Sequence, residues 1–93
     1  MFIKLYKVNK NAKDYYLSVI HLNTSQIVYM SEDSDMKKVF TEGKLNIDLH
    51  DQACFTRLRL ATKSGVEEIT VVDTPAAIES KIMTTSTRQL LRD

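Results

Sequence analysis

The sequence predicts an α+β domain: a small antiparallel sheet, or partly open barrel, of five to six strands with a C-terminal helix. Three observations carry this. Residues 55–72, FTRLRLATKSGVEEITVV, are two runs of β-formers around a Ser-Gly turn signal. Short runs alternating apolar with polar residues recur through the first half of the chain, as half-buried strands do. Thr74-Pro75 then opens a stretch with apolar residues four apart, Ile78 and Ile82, which is helical spacing.

Taken in order, residues 2–8 read as a strand with Ile3 and Leu5 on one face and Lys4 and Tyr6 on the other. Residues 9–14 are polar and turn-like, because Asn and Asp bond their own backbone and tolerate left-handed conformations. Residues 15–20 form a second strand. Asn23, Thr24 and Ser25 favour a tight turn, and residues 27–30 form a third strand. Ser34 or Asp35 is placed to cap a short helix around 34–40, and Gly43 to stop it. Leu45, Ile47 and Leu49 alternate with Asn46, Asp48 and His50, the pattern of a half-buried strand. In the 55–72 hairpin, Ser64-Gly65 is expected as the two-residue loop, with Leu60 opposite Ile69 and Leu58 opposite Val71. Leu58, Leu60, Ile69 and Val71 then share a core face. Arg57, Arg59, Glu68 and Thr70 share a solvated one. Thr74 caps the last helix, with Pro75 at its first position. The expected organisation is one domain over residues 1–83, with the helix beginning at 75, and a short tail over 84–93.

Composition narrows the function classes. The 93 residues carry a net charge of +1, so nothing pulls the whole chain toward nucleic acid or an anionic membrane. A single cysteine, Cys54, cannot pair within the chain. The N-terminus lacks the apolar run of a signal peptide or membrane span. A cytoplasmic protein with no membrane association is expected.

Chemistry-bearing constellations are sparse. The two glycines, Gly43 and Gly65, are too far apart to build a phosphate-cradling loop of either common pattern. His50 and Cys54 have metal-ligand spacing, but a structural zinc site needs four convergent donors and His21 is distant. Neighbouring Glu67 and Glu68 point to opposite faces of a strand. No enzyme activity, metal or cofactor is therefore expected. The better candidate is a sheet face. Lys4 and Tyr6 alternate on the first strand, and Phe55, Arg57 and Arg59 on the strand after residue 54. If those strands were neighbours, the five would form a basic, aromatic patch. Such a patch suits a protein partner or self-association. The alternative is single-stranded nucleic acid, with bases stacking on aromatic rings. A third reading is structural: both arginines pair across the hairpin with Glu68.

The punctuation of the chain also resembles a known family. Ile3-Lys4-Leu5, Leu22-Asn23-Thr24-Ser25-Gln26-Ile27 with Met30, Thr56-x-Leu58-x-Leu60, Gly65, Ile69-x-Val71, and Thr74 leading to Ile78 and Ile82 resemble the small FlbD-type flagellar family. Small uncharacterised phage proteins look similar. The resemblance covers residues 2–30 and 55–83, and residues 31–54 would be an insertion. It implies a small non-enzymatic accessory protein, linked in that family to motility.

Overall fold

The computed structural model describes residues 1–45, 47–50 and 52–92, with side chains as far as Thr84. Five strands make one antiparallel sheet: β1 (Phe2–Lys10), β2 (Tyr15–Asn23), β3 (Ile27–Glu32), β4 (Phe55–Thr62) and β5 (Gly65–Val72). Their spatial order is β2-β1-β5-β4-β3. Among the described residues two α-helices complete the fold, α1 (Ser34–Thr41) and α2 (Pro75–Arg92).

The two outer strands, β2 and β3, are joined by a single 3-10 turn over Thr24–Gln26. Across a flat five-stranded sheet its two edges would stand roughly 19 Å apart. The four peptide units from Asn23 to Ile27 reach at most about 15 Å. The sheet must therefore curl until its edges approach at this end. It is not closed, because among the described residues β2 and β3 share no ladder. Asn23 fixes the turn, its side-chain oxygen accepting from the Ser25 amide at 3.1 Å.

The curled inner face holds the main core. Ile3, Leu5, Leu22, Leu58, Leu60, Ile69 and Val71 are buried there, and Ile78 of α2 packs into them. As expected, Thr74 caps α2, its hydroxyl accepting from the Ala77 amide at 3.1 Å. The helix runs from Pro75 to Arg92 and so takes in most of the stretch expected as a short tail, frayed or docking.

The β4–β5 register differs from expectation. Leu58 faces Ile69, and Leu60 faces Glu67. The two-residue loop is Lys63-Ser64, with Thr62 paired to Gly65. A Ser-Gly loop of the primed type would need positive φ at Ser64. Gly65 instead takes φ 126°, and among the described residues no non-glycine residue has positive φ. Placing Gly after the loop lets Lys63 and Ser64 keep ordinary backbone. The slip is an even number of residues, so Leu58, Leu60, Ile69 and Val71 still share the inner face.

The outer face is not left to water, as the sequence suggested. Val8, Leu45 and Phe55 form a second buried cluster, with Leu17, Val39, Phe40, Ile47, Leu49 and Val72 packed around it. The Phe40 and Phe55 rings meet edge-to-face at 5.6 Å. Leu45, Ile47 and Leu49 thus bury apolar surface, but among the described residues of this segment none belongs to a strand. Gly43 explains why. At φ 75° it ends α1 in a Schellman turn, with its amide on the Phe40 carbonyl and that of Lys44 on Val39. The chain leaving that turn lies over the sheet face rather than beside an edge.

Candidate functional site

The five residues singled out in the sequence do not form one surface. β5 lies between β1 and β4, so Lys4 and Tyr6 are separated from Phe55, Arg57 and Arg59. Phe55 is fully buried beneath α1. Its alternation with Arg57 was read correctly, but a helix covers that end of the face. No sequence signal placed α1 there except its own apolar residues, Met36, Val39 and Phe40.

Arg57 is held in place by acids. Its guanidinium lies 3.3 Å from Asp33, 3.6 Å from Asp35 and 3.9 Å from Glu68. Asp33 is the organising residue. It is only 3% exposed. One carboxylate oxygen accepts from the Met36 amide at 3.0 Å and from Arg57. The other accepts from the Thr70 hydroxyl at 2.7 Å. Asp33 therefore caps α1 and pins it to β4 and β5 at once. The cap falls one residue before Ser34 and two before Asp35, at the residue whose backbone amide is bonded to the sheet through the Phe55 carbonyl. With every acceptor engaged and three acids around one cation, the cluster is a structural clamp.

Arg59 is exposed and lies over the Tyr29 ring at 5.7 Å, opposite Glu68 in the ladder. His50 and Cys54 bond within their own loop. The His50 Nδ1 accepts from the Gln52 amide, and the Cys54 thiol donates to the Gln52 carbonyl. Among the described residues, no three potential ligands cluster for a metal ion. No helix there is long and apolar enough to cross a membrane.

The outer face of the β1–β2 hairpin offers a different surface. Its registered pairs are Phe2 with Asn23, Lys4 with His21, and Tyr6 with Val19. Phe2 is 64% exposed, Val19 49% and Tyr6 44%. The Lys4 ammonium rests over the Tyr6 ring at 5.6 Å. Beside this face, the first half of β1 runs past the end of β5, and a cleft opens toward Ser80, Lys81 and Thr84 of α2. Lys4 and Tyr6 therefore belong to a real surface, with Phe2 and Val19 as members that sequence reasoning missed. Both look like ordinary strand residues in sequence, and only the register sets them together.

No protein-family model, curated protein or solved structure matches this chain.

Proposed function

We propose that the protein is a small non-enzymatic binding module that acts through a protein partner at the outer face of its β1–β2 hairpin. The observation that carries this is the exposure of Phe2, Tyr6 and Val19 on one face of two paired strands, with Tyr6 directly opposite Val19. Exposed apolar surface gathered in one place costs solubility and is retained where it binds. Tyr6 is of a residue type enriched in interface anchors, and the Lys4 ammonium lies over its ring. In this reading the protein is a cytoplasmic accessory or regulatory factor, of the kind implied by the resemblance to FlbD-type and phage proteins.

Nucleic acid is the less favoured partner. Arg57 already faces three carboxylates, and a guanidinium so occupied has little left for phosphate. The test is quantitative capture from a host lysate with wild-type protein and a Phe2→Ser/Tyr6→Ser variant. Both side chains are exposed, so the variant should fold. Loss of a specific protein with the variant supports the reading. An unchanged capture profile overturns it.

A further inference from the structure

We infer that β2 is a self-association edge, and that a second copy of this chain adds its own β2 antiparallel to it about a two-fold axis at Leu17. The two outer strands are unequally protected. β3 is six residues long, is bulged between Ile27 and Tyr29, and ends in Glu32. Shortness, a bulge and charge are the usual devices that keep an edge from pairing. β2 has none of them. It is nine residues long, YYLSVIHLN, pairs with β1 without a break, and contains no Lys, Arg, Asp, Glu, Pro or Gly.

The backbone shows which groups are on offer. The Thr24 amide donates to the Met1 carbonyl, and the Asn11 amide to the Asp14 carbonyl. These bonds fix the alternation of the β1–β2 ladder, because bonded and non-bonded pairs alternate. Ser18 and Ile20 bond to β1, whereas Tyr15, Leu17, Val19 and His21 turn their amides and carbonyls outward. Among the described residues, no other strand or loop backbone receives them.

Charge and shape favour a second copy as the occupant. The strand is uncharged and the chain carries only +1, so self-pairing opposes no like charges. A two-fold axis at Leu17 sets outward-bonding residues against each other and places Tyr15 opposite the partner copy's Val19. Aromatic and β-branched residues make favourable cross-strand pairs. Leu17 already packs on the outer-face cluster, so meeting its own copy would join the two clusters into one. The pairing uses residues 15–19 and stays clear of the curled end at Thr24–Gln26. The pairing runs through the β2 backbone and shares only Val19 with the face proposed above, and sedimentation reads self-association where lysate capture reads a different protein, so either can fail alone.

The experiment is sedimentation of wild-type protein and Val19→Pro from about 10 µM to 1 mM, the range in which weak dimers form. Proline at 19 removes an outward amide and leaves the β1 ladder intact. The expected result is a concentration-dependent dimer for wild type, and at least about tenfold weaker association for the variant, with an unchanged far-UV spectrum. A wild-type monomer across the whole range overturns the inference, as does a variant that dimerises equally well. Should the proline variant fail to fold, Tyr15→Cys/Val19→Cys in a Cys54→Ser background decides. Four residues apart on one strand, those cysteines cannot bridge within a chain. A crosslinked dimer on oxidation supports the register, and its absence overturns it.

Discussion

Removing the carboxylate of Asp33 should loosen one helix of this protein before it unfolds the sheet. In Asp33→Ala three connections go together. Loss of the α1 cap costs about 1 kcal/mol. Loss of the bond from the Thr70 hydroxyl costs roughly 1.5 kcal/mol, as bonds to charged groups do. The contact with Arg57 contributes less, about 0.5 kcal/mol, because that side chain is 39% exposed and keeps Asp35 and Glu68. The total is about 3 kcal/mol, a large share of the 5–15 kcal/mol typical of a domain. Asp33→Asn keeps an acceptor for the Met36 amide and should cost about 1 kcal/mol. Urea unfolding followed by circular dichroism measures both. Released α1 would also uncover Phe55 and Val8, so Asp33→Ala should bind a hydrophobic dye under native conditions while the asparagine variant does not. A cost below about 1 kcal/mol for Asp33→Ala, with no dye binding, would refute the clamp.

Three further outcomes follow from the same packing. Phe55→Ala should destabilise by about 3–5 kcal/mol in urea titration, whereas a surface phenylalanine would barely register. Gly43→Ala should cost about 1 kcal/mol by the same measurement. A Cβ there meets nothing within 4 Å, so the penalty comes from the positive φ alone. A chelator should leave the melting temperature unchanged, since His50 and Cys54 are engaged with Gln52.

Much of the fold was legible because it rests on local rules. Period-two alternation put Leu58, Leu60, Ile69 and Val71 on the buried face even though the loop was placed one residue late. Thr74 and Pro75 marked the start of α2 through capping chemistry. What could not be read was how elements distant in sequence share the sheet. Nothing in residues 45–49 distinguishes a strand at an edge from a coil laid over a face, because both bury alternate residues. Phe55 alternates with Arg57 and Arg59 like a surface residue, and only the docking of α1 buries it. The candidate surface was half legible for the same reason. Lys4 and Tyr6 stood out by type, while Phe2 and Val19 join them only through the β1–β2 register.

The central functional claim is that the exposed surface serves a protein partner and not a nucleic acid. Fluorescence anisotropy with labelled single-stranded DNA and RNA, at about 150 mM and again at low salt, tests it most directly. The account predicts no measurable binding at the higher salt, because acids occupy Arg57 and Glu68 lies opposite Arg59. Micromolar binding that weakens steeply with salt, and is abolished by Lys4→Ala with Arg59→Ala, would contradict it.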